Sequence, residues 1–256
     1  MKIVCQLRYH GGYTAGWQEQ PNEISIASEI KRAINKFSKE TVALACAGRT
    51  DKGVHAVGQV ISFDTNQMRH LSKWKTGLNH FLPDYIAINE VIEHDDNFHP
   101  RFHALARTYR YYAVINNRPH GEKIVTTLYK KPCLQKMNLC AQMILGTHDF
   151  SKFRGGSCQA LTPVKTCQEA FWIEKGSLLC FEITADAFLH HMVRYLVGCM
   201  LQVGLEQRSL EWFHDLVHMR GEQDFCAPGE GLYFCHAHYN VQLTPGFRDQ
   251  RPWFDS

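Results

Sequence analysis

The stretch AGRTDKGVHAVGQVISF, from Ala47 to Phe63, gathers chemistry-bearing residues into a short span. Asp51 follows Arg49 by two positions and precedes His55 by four, among Gly48, Gly53 and Gly58. Glycines let a chain turn sharply between two apolar runs. A carboxylate on such a connection sits where a rigid scaffold commonly presents catalytic side chains. Arg49 could keep that carboxylate ionised by charge pairing, and His55 could act as acid, base or phosphate ligand. The same Arg-Thr-Asp-Lys-Gly segment also reads as a solvated turn in which the Asp caps its own backbone. A phosphate-cradling loop is a poorer reading, because the Walker spacing is absent and no Gly-Lys-Ser or Gly-Lys-Thr follows.

Other chemistry-bearing residues are more dispersed. His190-His191 and His236-x-His238 invite a metal, but neither pair has a third ligand at metal spacing, so no metal is expected. The ten cysteines include no Cys-x-x-Cys pair and accompany no export signal, so they read as free, mostly buried thiols. No dinucleotide fingerprint occurs either, and no cofactor is expected.

The elements that must position these residues look mixed. Residues 2–9 alternate as a strand, with Ile3, Cys5, Leu7 and Tyr9 on one face. Ser25 caps a helix whose stripe is Ile26, Ile30, Ala33, Ile34 and Phe37. TVALACA, GQVISF and YIAINEVIE then read as strands. The pattern restarts with the aromatic strand RTYRYYAVI (107–115), which puts Arg107, Tyr109 and Tyr111 on one face. A helix follows around Met137, Cys140, Ala141 and Ile144, with Gly146 just past its end. QEAFWIE and LLCFEITA form a hairpin through Lys175-Gly176-Ser177. FLHHMVRYLVGCMLQVG reads as one long buried helix, Ser209 caps another, and GLYFCHAHYN closes as a strand. Short turns between neighbouring strands make the class α+β, with two parts, 1–104 and 105–256.

The 256 residues suffice for one large domain or two small ones with real cores. Hydrophobic residues at 45% and charged residues at 21% describe an ordinary globular chain rather than a disordered one. No apolar run approaches the roughly 18 residues of a membrane span, and MKIVCQLRYH lacks the apolar core of a signal peptide. A cytoplasmic location is therefore expected. A net charge of +3 does not by itself announce nucleic acid.

The block AGRTDKGVHAVGQVISF closely resembles the catalytic motif of the tRNA pseudouridine synthase A family, Gly-Arg-Thr-Asp-x-Gly-Val-His-Ala. Further blocks are similar in the family's order: RYHGGYTAGWQEQP, NFHPRFHALARTYRYY, HDFSKFR, ADAFLHHMVRYLVG and GEGLYF. Together they cover residues from about 3 to 240. The chain departs from the family pattern at His10, Pro100, the stretch around Leu161 and Asp186.

The resemblance implies a fold of two ferredoxin-like halves, with antiparallel sheets joined around a central basic catalytic cleft, and a homodimer. It implies isomerisation of uridine to pseudouridine at positions 38 to 40 of the tRNA anticodon stem-loop, without a cofactor. Asp51 takes the place of the essential carboxylate, whether that group adds to the ribose or base or removes a 2′ proton. Arg194 takes that of its ion-pair partner, and Tyr109 that of the tyrosine stacked on the flipped uracil. Arg49 belongs to the substrate-binding set, and Leu232 to the aliphatic residue beneath the tyrosine. Arg101, Arg107, Arg110, Arg118, Lys152 and Arg154 are candidate phosphate contacts. Rival readings are a catalytically silent RNA-binding module of the same fold and a His/Asp metal-dependent phosphate hydrolase.

Overall fold

The computed structural model describes residues 1–94, 97–115, 123–156, 158, 160–240, 244 and 246–255. Arg118 lies outside them. Along the chain run β1 (Lys2–Tyr9), α1 (Ile26–Ser38), β2 (Ala45–Cys46), β3 (His55–Asp64), α2 (Leu71–Phe81) and β4 (Ile86–His94). Then come β5 (Ala106–Ile115), β6 (Thr126–Leu128), α3 (Leu134–Met143), β7 (Gly146–Asp149), β8 (Val164–Lys175) and β9 (Leu178–Ala185). The last elements are α4 (Met192–Gly204), α5 (Leu210–Val217) and β10 (Leu232–His238).

These elements form two compact units. One comprises Met1–Leu105 with Tyr233–Ser256, the other Ala106–Leu232. The division into 1–104 and 105–256 read from the sequence thus differs in its tail, because residues from Tyr233 onward cluster with the first unit.

In the first unit the strands lie in the order β4-β1-β3, with β1 antiparallel to both neighbours. The succession β1-α1-β2-β3-α2-β4 is ferredoxin-like. On the edge of β3 away from β1, β2 pairs antiparallel through Ala45 and Cys46, while β10 pairs parallel through Tyr233 and Phe234. The strand expected over TVALACA is therefore only two residues long. Beside it the Glu40 carboxylate, rather than main chain, engages the end of β3 by accepting from the Asn66 N–H at 3.0 Å and from the Thr65 hydroxyl.

Helix α1 forms as its sequence demands. Ser25 and Ser28 cap each other's backbone N–H, both at 3.0 Å, and Ile26, Ile30, Ala33 and Ile34 are buried. Each such isoleucine contributes about 1.5–3 kcal/mol of transfer free energy. Phe37, the last of the expected stripe, is half-buried and meets Trp74 of α2 edge-on at 5.1 Å. Helix α2 was not expected; only Trp74 and Leu78 of its eleven residues are buried, too thin a stripe to read.

In the second unit β5, β9, β8 and β7 form an antiparallel sheet, with β6 parallel to β5. The expected hairpin is β8–β9, turning through Gly176 at φ 61°. Asn138 of α3 bonds both the N–H and the C=O of Trp172 on β8, at 2.8 and 3.1 Å. The sheets are not purely antiparallel: β10 runs parallel to β3, and β6 to β5. Neither pair is joined by a hairpin, so the intervening chain leaves their direction open. The helix expected from Phe188 starts only at Met192, because His191 adopts left-handed backbone (φ 60°, ψ 3°).

Candidate active site

The turn carrying Asp51 is built from below. Thr50 points inward, and its Oγ1 bonds the buried Tyr9 hydroxyl at 2.8 Å. Gln59 of β3 donates to that hydroxyl at 3.2 Å and to Gly48 O at 2.7 Å. From outside the turn, Trp17 N–H donates to Thr50 O at 2.9 Å. Gly16, at φ 106°, comes so close that a Cβ there would lie 2.9 Å from Lys52 N. Val54 N–H donates to Asp51 O at 3.1 Å and closes the turn. Asp51 is left half-buried between exposed neighbours at 49 and 52. A turn fixed at so many points holds a carboxylate in place with little ordering left for substrate to supply.

This first set contains residues that the sequence reading quoted as motif but assigned no role. Tyr9, Gly16, Trp17, Thr50 and Gln59 form the mount of Asp51. Burial pushes the Tyr9 phenol well above its ordinary range, so it stays protonated beneath the turn. Burial likewise pushes the Cys46 thiol up to about 12, against the pull of Arg49 and Arg101. Arg49 is exposed and, among the described residues, makes no hydrogen bond or ion pair. The charge pairing with Asp51 considered for it is not present.

His55 is a strut. It is buried, and its Nδ1 accepts from Gly11 N at 3.2 Å. Its ring stacks on Tyr233 at 4.6 Å and receives the edge of His10 at 4.4 Å. The departure at His10 has its own structural use, because His10 Nδ1 accepts from Gly12 N at 3.1 Å.

In the second unit, Tyr109 lies on β5 opposite Ile183. It is largely buried, with its ring edge-on to Phe188 at 5.0 Å. Tyr111 is fully buried and bonds Thr126 Oγ1 at 2.6 Å, which makes it a core residue. Arg194, half-buried on α4, donates from Nε to Ala227 O at 2.8 Å, and Ala227 N–H returns a bond to Arg194 O at 3.0 Å. The 225–227 segment lies this close because residue 198 is Gly; a Cβ there would stand 2.0 Å from Phe225 O. Ala227 and Gly198 therefore orient the Arg194 guanidinium, and nothing in their residue types announced it. Leu232, the last residue of this unit, is buried.

The candidate phosphate contacts divide sharply. Arg110 is 2% exposed and pairs with Glu182, directly opposite on β9, at 2.6 Å. It is an internal ion pair and not an RNA contact. Arg107 is also buried, donating to Asp186 O at 2.7 Å. Arg154 spans the 158–160 loop through Cys158 O and Ala160 O at 2.8 and 3.0 Å, and Lys152 pairs with Glu222 at 2.8 Å. Arg101 is exposed. Asp186, another departure, caps a turn by accepting from Thr166 N and Ala187 N at 3.0 and 2.6 Å.

A family model described as tRNA pseudouridine synthase matches residues 9–103 and 140–240. Those segments contain Arg49, Asp51 and Arg101, then Lys152, Arg154, Arg194 and Leu232; Arg107, Tyr109 and Arg110 fall between them. A tRNA pseudouridine synthase A of Francisella tularensis subsp. holarctica (strain OSU18) is 38% identical over 246 residues, covering 92% of this chain and 93% of the relative. One from Shewanella sp. (strain W3-18-1) is 40% identical over 251 residues, 94% of both chains. Among solved structures, a Cbf5-Nop10-Gar1 complex matches with a TM-score of 0.34 at 12% identity, over 76% of this chain and 46% of that one, too slight a likeness to bear on the fold. An α+β isomerase of the pseudouridine synthase kind is the class these findings define. The chain belongs to the tRNA pseudouridine synthase family.

Proposed function

We propose that this protein isomerises uridine to pseudouridine at positions 38 to 40 of the tRNA anticodon stem-loop. The reaction breaks the C1′–N1 bond, turns the uracil and rejoins it through C5, whose proton passes to solvent. Nothing is oxidised, reduced or hydrolysed overall, so the chain's own residues suffice and no cofactor is invoked. The observation that supports the reading is the mount of the turn that carries Asp51: Tyr9, Trp17 and Gln59 fix its neighbours Gly48 and Thr50, within a segment that the family model matches.

Asp51 is the essential carboxylate of this mechanism. A carboxylate covered by a base loses solvation and tends to protonate. Arg194 opposes that by pairing with it, and its guanidinium is already oriented through Ala227 O. Tyr109, fixed against Phe188, supplies a face on which the extruded uracil stacks, and Leu232 backs that ring. Arg49 contacts the substrate. The enzyme acts as a homodimer in the cytoplasm; among the described residues no helix is long and apolar enough to cross a membrane.

The test is Asp51→Asn. Tritium release from C5-labelled tRNA is expected to fall by at least about 10³-fold, the scale of losing a covalent or general-base group. tRNA affinity is expected to stay within about threefold. Normal turnover by the variant would remove Asp51 from the mechanism.

A further inference from the structure

The connection from β4 to β5 carries an aromatic ring that the fold holds out of the core. Phe102 is 73% exposed. It is not loose: Phe98, four residues after the end of β4 at His94, is buried beside Tyr239 at 5.4 Å. The Tyr239 hydroxyl donates to Pro100 O at 2.6 Å. Between these anchors His99 organises the backbone. Its Nδ1 accepts from Arg101 N at 3.1 Å and Phe102 N at 3.4 Å. Its own N–H donates to His103 Nδ1 at 3.2 Å, and its C=O accepts from His103 N at 3.1 Å.

The exposed ring is backed on one side. The His99 imidazole lies at 4.3 Å with a 33° tilt, and the Arg101 guanidinium is 5.8 Å from the ring. Burial first, then the electrostatics of the neighbouring His103, Lys2 and Arg101, hold the His99 pKa below its ordinary value, which keeps Nδ1 an acceptor. An exposed aromatic locked by its own backbone spends little entropy on binding. No residue from 97 to 105 is acidic, and its one arginine, Arg101, directly precedes the exposed Phe102. That combination fits a polyanion with flat bases better than a protein surface.

We infer that the 97–105 loop is a stacking platform for an unpaired RNA base, with Phe102 as the ring and Arg101 as the cation for the adjoining phosphate. The inference rests on the reading of tRNA as substrate and adds a contact outside the reacting nucleotide. The platform steadies the RNA while Asp51 acts elsewhere in the same unit.

The experiment compares Phe102→Ala, Phe102→Trp and Arg101→Ala with wild type, by fluorescence anisotropy on an end-labelled tRNA transcript across a salt series. Phe102→Ala is expected to weaken binding roughly fivefold or more, the scale of one lost base stack, with an unchanged melting temperature. Phe102→Trp is expected to bind within about twofold of wild type. Arg101→Ala is expected to reduce the slope of log affinity against log salt by about 0.7–0.9, one phosphate contact. Binding by Phe102→Ala within twofold of wild type would overturn the platform. Loss of self-association with tRNA binding intact would also overturn it, by assigning the ring to a protein contact. The same wild-type preparation is assayed for tritium release. A wild type that binds tRNA without release refutes the proposed activity, while the binding comparison still decides the role of Phe102.

Discussion

At the scale of single residues, the turn around Asp51 was legible because its chemistry and its geometry are local. Glycines, a carboxylate and the flanking apolar runs lie within one short block. Arg110 was not legible in the same way. Its type and basic neighbourhood suggested phosphate, whereas its partner Glu182 lies on a different strand and appears only once β5 and β9 are in register. Sequence gives a charge; the fold decides whether the charge is already paired. His55 is a different case: its type allows acid, base or phosphate chemistry, and it is buried against Gly11, His10 and Tyr233, where it shapes the loop. Cysteine reactivity is a residue-scale consequence too. Burial raises the Cys158 thiol, but the backbone N–H groups of His190 and Ala160, together with Arg154, outweigh it and leave the pKa lowered. Cys5, Cys140, Cys167 and Cys199 are all pushed up by burial. Limiting iodoacetamide near pH 7.5 is expected to label Cys158 at least about tenfold faster than those four, read by peptide mass spectrometry. Equal labelling would show that the 154–160 loop does not hold the thiolate.

At the scale of elements, the strongly patterned segments behaved as read, β1, α1 and the β8–β9 hairpin among them. Failures came where a backbone exception intervened. The apolar run from Phe188 gave no sign that His191 turns left-handed and delays α4 to Met192. Nor could TVALACA reveal that its strand pairing with β3 would be limited to Ala45 and Cys46, with one further bond from Ala47 N to Val60 O. Helix α4 also yields a sharp prediction. In Gly198→Ala the new Cβ would meet Phe225 O at 2.0 Å, so the 225–227 segment must move. Overpacking of this kind costs about 1–3 kcal/mol, and melting is expected to drop by roughly 3–10 °C for a chain of this size. Displacing Ala227 O also releases the Arg194 Nε, so turnover at a temperature where the variant is folded is expected to fall about tenfold or more. Wild-type turnover despite the lower melting temperature would show that the strap does not aim Arg194.

At the scale of the molecule, the modest net charge of +3 acquires a physical reading. Arg110, Lys2, Lys31 and Lys131 are among the cations spent on internal or surface carboxylates. RNA attraction must then come from a few placed groups rather than from a general field. Homodimerisation, implied by the family resemblance, bears on this because two such faces could engage one RNA. Sedimentation equilibrium is expected to give twice the 29.5 kDa of one chain; a monomer at concentrations where turnover is full would show that one copy suffices.

The first unit is discontinuous in the chain: it is left at Leu105 and rejoined only at Tyr233. During synthesis, β3 therefore emerges long before the strand that pairs parallel to its His55 end. At about 5–20 residues per second the ribosome leaves that edge waiting for roughly ten to thirty seconds. An uncovered strand edge invites pairing with other chains. The neighbourhood of Asp51 is thus among the last parts of the nascent protein to be completed, and a premature stop before Tyr233 would leave an aggregation-prone stub rather than a half-active enzyme.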